Sequence, residues 1–250
     1  MNKENIQKWA EVYKNAFADR WDEQSYKWEA AAAAARHWNI EAPQLLLCFK
    51  SSAELLGKKQ PRLLRPHGRR MAYGMLHEFI RLEEVAARDM FRGLYADAGR
   101  SGVDERIACF VATVKEIKER RRRLDQPQWH RDFQAPATAS VLLWLHNPEC
   151  YIYAEPEWMA LALKEQGFNY TGSRRRLAYE EALAAFVCLR EVLNVPQLGL
   201  REMLDSRLDA AKHYADPALS LLSNDFLEFV GREVKRLCVV DKKKDNANEN

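Results

Sequence analysis

Glycine and proline are scarce in this sequence, ten and nine residues of 250, so turns should be few and helices long. The five cysteines, Cys48, Cys109, Cys150, Cys188 and Cys238, stand far apart, odd in number and never as C-x-x-C. Neither a zinc site nor a disulfide framework is indicated. Each is expected to be a buried thiol on an apolar helix face, which suits a reducing cytoplasm. No apolar run approaches the length of a membrane span, and the first 25 residues are polar and charged, so no signal peptide is expected. A large charge of one sign is missing too. The net charge of +3 does not by itself indicate a nucleic-acid partner, so the placement of the cations decides.

Catalytic motifs are also missing. There is no G-x-x-x-x-G-K-[ST] phosphate loop, because Gly57-Lys58-Lys59 lacks the leading glycine and the hydroxyl. His77-Glu78 has no second histidine, and no G-x-S-x-G elbow occurs. His130-Arg131-Asp132 lacks the asparagine a kinase loop needs five residues on, where Ala137 stands. Glu116-Ile117-Lys118 and Glu233-Val234-Lys235 match half of a nuclease metal site but lie in helical windows, where residues two apart point to different sides. No catalytic constellation remains. The expectation is a protein that is not an enzyme and uses no cofactor and no metal.

What is present is helical periodicity. The organising stretch is Tyr26 to Pro43, where six alanines, Ala30 to Ala35, lie between Tyr26 and Trp28 on one side and His37 and Trp38 on the other. Alanine has the highest helix propensity and lets neighbouring backbones approach, so this helix should act as a hub. Amphipathic patterns predict further helices over residues 3 to 20, 43 to 56, 71 to 82, 83 to 95, 103 to 124, 137 to 146, 157 to 166, 174 to 193, 197 to 213 and 218 to 240. Cys150 to Ala154 is the one strand candidate, or else an extended connector. The fold class expected is all-α, about ten packed helices without an internal repeat. Residues 125 to 136 form the best boundary, between an N-terminal subdomain (1–124) and a C-terminal one (137–240), or the two make one compact domain. Residues 241 to 250 are nearly devoid of apolar side chains and should be disordered.

Three basic clusters are the functional candidates: Lys58, Lys59, Arg62, Arg65, Arg69 and Arg70 in a loop without acidic residues; Arg120, Arg121, Arg122 and Arg123 at a helix end; and Arg174, Arg175 and Arg176. Phosphate binding needs several cations together, because neutralising phosphates releases condensed counterions, and arginine adds bidentate geometry. The competing reading is three separate solvated faces, with the α-helical cluster explained by the helix dipole. Trp129 and Phe133, with His130, are candidates for stacking on a base, or for pinning their loop to the core.

Several stretches taken in order resemble the N-terminal region of McrB-like AAA+ restriction proteins. They are Tyr26-Lys27-Trp28-Glu29-Ala30, His37-Trp38-Asn39-Ile40-Glu41-Ala42, Gly74-Met75-Leu76-His77-Glu78-Phe79, Met90-Phe91-Arg92-Gly93-Leu94-Tyr95, Glu105-Arg106-Ile107, Tyr151-Ile152-Tyr153 and Asp225-Phe226-Leu227-Glu228-Phe229-Val230-Gly231-Arg232. They cover roughly residues 22 to 235. The resemblance implies a non-enzymatic DNA-recognition or adaptor module of an antiphage restriction system, cytoplasmic, without membrane contact. Its implied partners are DNA and an AAA+ motor or nuclease subunit; the alternative is docking on such a subunit with no DNA contact. The motor itself has no counterpart here. Ala154-Glu155-Pro156-Glu157 also places acids where a basic residue is expected, which counts against a nucleic-acid contact there.

Overall fold

The computed structural model describes residues 1–57, 63–64, 72–96, 102–124 and 135–248. Among them are eleven α-helices and no strand: α1 (Lys3–Gln24), α2 (Tyr26–His37), α3 (Leu45–Gly57), α4 (Ala72–Leu82), α5 (Glu84–Tyr95), α6 (Val103–Arg123), α7 (Ala135–His146), α8 (Pro156–Glu165), α9 (Tyr179–Leu193), α10 (Leu200–Asp205) and α11 (Ser220–Asn248). The fold is all-α and non-repeat, as the periodicity implies. It divides into two compact units. The first comprises Met1–Asp22, Ala154–Arg207 and Asp216–Asn250; the second comprises Glu23–Tyr153 and Leu208–Ala215. The units are interleaved along the chain, whereas the sequence places its boundary at residues 125 to 136. Periodicity identifies the buried face of α1 but not its partner, which is α11, some two hundred residues on.

In the first unit the front half of α11 is buried on all sides. Leu221, Leu222, Phe226, Leu227 and Val230 lie there together with Ser220, Ser223, Asn224, Asp225 and Glu228. α8 packs closely along it and α9 flanks it. α1 contributes Ile6, Ala10, Tyr13 and Phe17, and the Tyr13 ring meets Phe226 and Phe229 edge-on at 5.6 and 5.4 Å. Asp216 starts α11: its carboxylate accepts from the backbone N–H of Leu221 and of Leu222, each at 2.9 Å, satisfying two donors that a helix leaves open at its first turn.

In the second unit α2 packs against α3 and α7, burying Trp28, Ala30, Ala31, Ala32 and Ala34. Trp38, just past its end, sits edge-on to Phe49, Phe91 and Tyr95 at 6.1, 5.2 and 6.4 Å. The Lys27 ammonium is buried 5.0 Å from the Tyr153 ring centroid. Arg106 of α6 is buried and donates to the carbonyls of Leu94 and Ala96 at 2.8 and 2.7 Å. It thereby places a cation on the open carbonyls at the C-terminal end of α5.

Burial pushes two phenols well above the ordinary tyrosine value, Tyr13 in the first unit and Tyr95 in the second. Both are neutral in the fold, and the unfolded chain ionises first as pH rises. Stability is therefore fully present below about pH 10 and should fall above it by about 1.4 kcal/mol per pH unit for each phenol. Urea denaturation at pH 9 and pH 11 measures this fall; equal midpoints would contradict it.

Several local expectations change. None of the five cysteines is buried: Cys109, Cys150, Cys188 and Cys238 are exposed and Cys48 is intermediate, because each falls on an outward helix face or in a turn. Residues 151–155 form an extended connector, with Ile152, Tyr153 and Ala154 buried. α9 starts at Tyr179 and not at Arg174, since three arginines oppose the positive end of a helix dipole while Glu180 and Glu181 suit it. The segment expected as one helix over 197 to 213 contains only α10, preceded by a 3-10 turn over Pro196–Leu198 and by Gly199 at φ 62°. The backbone of α11 remains helical through Asn248, across the stretch expected to be disordered.

Candidate functional site

α6 is amphipathic in charge as well as in hydropathy. Asp104 and Glu105 occupy its first turn and Arg120 to Arg123 its last, each sign at the end of the helix that its dipole favours. Arg120 and Arg121 share the Glu83 carboxylate, at 3.2 and 2.8 Å, and Arg121 also donates to the Leu82 carbonyl at 2.6 Å. Arg122 and Arg123 share Glu119, at 2.9 and 3.3 Å. The hydrogen bond from Arg122 holds the Glu119 carboxyl below its usual range. Burial, then the nearby Arg122 charge, pulls the Lys118 ammonium down. Among the described residues, the four arginines at the end of α6 thus share two carboxylates, Glu83 and Glu119.

Arg174, Arg175 and Arg176 form an exposed turn of the first unit. The Ser173 hydroxyl accepts from the backbone N–H of Arg175 and Arg176, at 3.3 and 3.2 Å. The Arg176 guanidinium donates to the Thr171 carbonyl and hydroxyl, each at 3.3 Å. Thr171 donates in turn to Glu181, whose carboxyl it holds down. Among the described residues Arg174 and Arg175 enter no ion pair. These two arginine clusters belong to different units. The third cluster (Lys58, Lys59, Arg62, Arg65, Arg69, Arg70) and the aromatic candidates Trp129, His130 and Phe133 lie outside the described residues.

Sequence reasoning missed a groove in the second unit. It lies between α5 and α6 and encloses about 310 Å³. Met90, Leu94, Phe110 and Ile117 form its floor, nearly all of their surface buried, and Ala86, Gly93, Cys109 and Thr113 its low walls. Asp89 borders it too, and Glu116 and Arg120 stand at one end. There the groove meets a wider, open recess of about 800 Å³ lined by Lys115, Glu119, Arg123 and Leu124 as well as by Glu116 and Arg120. Gly93 is the available signal: a glycine inside a helix, exposed, where an added Cβ would touch none of the described residues. Gly93→Ala should therefore stabilise the protein by about 1 kcal/mol, read as a rise in the melting temperature; a lower melting temperature would show an unseen constraint.

Two other polar groups stand out. The His146 ring stacks on Tyr95 at 4.2 Å, and burial, then the Arg106 charge, lowers its pKa. In the first unit Asp225 accepts from Tyr13 and Arg20 in a buried network. Among the described residues no group of three or more His, Cys, Asp or Glu side chains is placed to hold a metal, and no helix is long and apolar enough to cross a membrane. No family model, no curated protein and no solved structure matches this chain.

Proposed function

We propose that this chain is a non-enzymatic recognition module of a restriction-type defence system, of the kind that the resemblance to McrB-like proteins implies, acting in the cytoplasm and contacting DNA through its exposed arginines. The observation that supports it is that the four arginines on the last turn of α6 share two carboxylates among the described residues, Glu83 and Glu119. The ion pairs there do not forbid a phosphate. Exposed pairs contribute about 0–1 kcal/mol each, and a guanidinium with five donors can keep one partner while donating to another. Arg174 and Arg175, which enter no ion pair among the described residues, offer a second set of donors. Charge reversal separates the clusters. In Arg122→Glu/Arg123→Glu, and separately in Arg174→Glu/Arg175→Glu, duplex affinity at low salt should fall about tenfold or more, and the dependence of log affinity on log salt should flatten by about 2. Full affinity in both folded variants would overturn the reading.

A second reading, docking on a motor or nuclease subunit without DNA contact, is favoured by the α5–α6 groove. The carboxylates that line it, Asp89 and Glu116, suit a protein surface better than a phosphate backbone.

A further inference from the structure

We infer that the turn at Arg174 and Arg175 is a preorganised phosphate clamp: its two guanidiniums take neighbouring phosphates of a nucleic-acid backbone, and Thr171 and Ser173 are the positioning residues that hold it in shape. The inference rests on the DNA reading and deepens it, because it assigns to this turn affinity without sequence preference.

The turn is tied into one shape. Ser173 and Arg176 close it by exchanging backbone hydrogen bonds: Ser173 N–H donates to the Arg176 carbonyl at 2.9 Å and Arg176 N–H to the Ser173 carbonyl at 3.2 Å. Arg174 and Arg175 are the two residues left at its tip. The Ser173 hydroxyl accepts from two backbone N–H groups of the same turn, and the Arg176 guanidinium folds back onto Thr171. Thr171 fixes the base of the loop to α9, donating from its N–H to one oxygen of Glu181 at 2.8 Å and from its hydroxyl to the other at 2.6 Å. Gly172 lies against the Tyr170 ring, where a Cβ would come within 2.1 Å, and the Tyr170 hydroxyl accepts from the Ala178 N–H at 3.1 Å across the loop.

The cations at this tip differ from those of α6. Among the described residues neither Arg174 nor Arg175 enters an ion pair, both are exposed, and no acidic residue lies between Gly167 and Ala178. Thr171 engages both oxygens of Glu181, so that carboxylate steadies the base of the loop. Each arginine at the end of α6, by contrast, keeps Glu83 or Glu119, and a phosphate there has to compete with a carboxylate. At the tip a phosphate displaces only water and counterions, and the loop is ordered before it binds.

The surroundings favour a phosphate backbone over an acidic protein. Protein interfaces centre on apolar and aromatic side chains with charges at the rim, whereas nucleic-acid interfaces are more polar and more positive. From Gly167 to Ala178 no large apolar side chain is exposed: Tyr170 is buried, and Phe168 and Leu177 are half-buried. A guanidinium fork matches two oxygens of one phosphate. Contacts of that kind fix position on a strand and carry no sequence information.

The test is fluorescence anisotropy of the full chain with labelled duplexes of two unrelated sequences, each modified and unmodified, at several salt concentrations, beside labelled polyglutamate. Arg174→Ala/Arg175→Ala should lower duplex affinity about tenfold or more at low salt and reduce the salt slope by about 2, equally on every duplex. Thr171→Val/Ser173→Ala removes no charge and should weaken binding about threefold or more with the salt slope unchanged; circular dichroism checks that both variants are folded. Arg174→Lys/Arg175→Lys should keep the slope and lose part of the affinity, because the charge stays and the fork is gone. Full affinity in the arginine-to-alanine variant together with a loss in Arg122→Glu/Arg123→Glu would overturn the clamp and leave the DNA reading standing. A wild type that binds no duplex would overturn both. A loss confined to one sequence or one modification, full affinity in Thr171→Val/Ser173→Ala, or tighter binding of polyglutamate than of duplex would each overturn the inference.

Discussion

Asp225→Ala should destabilise the first unit by about 3–5 kcal/mol, the range for breaking a buried ion pair from one side. The Asp225 carboxylate accepts from Arg20 Nε at 2.6 Å and from a terminal guanidinium nitrogen at 2.8 Å, and from the Tyr13 hydroxyl at 2.8 Å. Its side chain is 1% exposed and that of Arg20 is 12%. Burial alone would lower the Arg20 pKa, but the Asp225 charge and hydrogen bonds raise it above its ordinary value. Removing the carboxylate leaves a guanidinium in a nearly dry site with the Asp225 carbonyl, at 3.2 Å, as its remaining acceptor on that residue, and also removes the acceptor of the Tyr13 hydroxyl. Asp225→Asn retains an acceptor oxygen and should cost less. Urea denaturation followed by circular dichroism measures both. A loss below about 1 kcal/mol for the alanine variant, the value of a surface pair, would mean the network is more hydrated than its geometry indicates.

Gly231→Ala is the second large effect, and it arises from a single methyl group. A Cβ on Gly231 would lie 2.2 Å from the Trp158 carbonyl oxygen and 2.8 Å from its carbon. These are backbone atoms of α8, so no side chain can rotate away. Either α8 or α11 must shift across the most extensive helix pair of the first unit, opening contacts made by the buried Met159, Ala162 and Val230. Overpacking of this kind typically costs 1–3 kcal/mol, and the backbone clash puts the expectation at about 3 kcal/mol or more. Gly93→Ala, the same substitution with the opposite sign, is the internal control: it shares the gain in helix propensity but has no clash. If the two variants melted at the same temperature, the close approach of α8 to α11 would be refuted.

Legibility in the sequence followed the range of the physics. Local signals read well. The alternation of apolar positions identified α1, α5 and α6, and the four arginines Arg120 to Arg123 marked the end of α6 closely. Nonlocal pairing did not read. Nothing near Arg120 in the sequence says that Glu83 will neutralise part of the cluster, because the two are 37 residues apart and meet only when α5 folds back on α6. The Asp225 network hid for the same reason: two acidic residues, Asp225 and Glu228, inside an otherwise apolar run look like interruptions until Arg20 and Arg232 are beside them. The cysteines misled because the average burial of a thiol says nothing about which helix face it occupies. The groove was missed because its walls are defined by small side chains, and a lone glycine in a helical pattern reads as a weak spot before it reads as an opening.

Salt dependence of DNA binding tests the central claim most directly. Fluorescence anisotropy of a labelled duplex is titrated with the intact wild-type chain at several salt concentrations, with modified, unmodified and single-stranded DNA in parallel. The account predicts binding at low salt that weakens linearly in log affinity against log salt, with a slope of about −0.9 for each phosphate neutralised and a magnitude of about 2 or above if the α6 arginines in excess of Glu83 and Glu119 are used. No binding at low salt, or binding without salt dependence, would contradict DNA recognition by this chain.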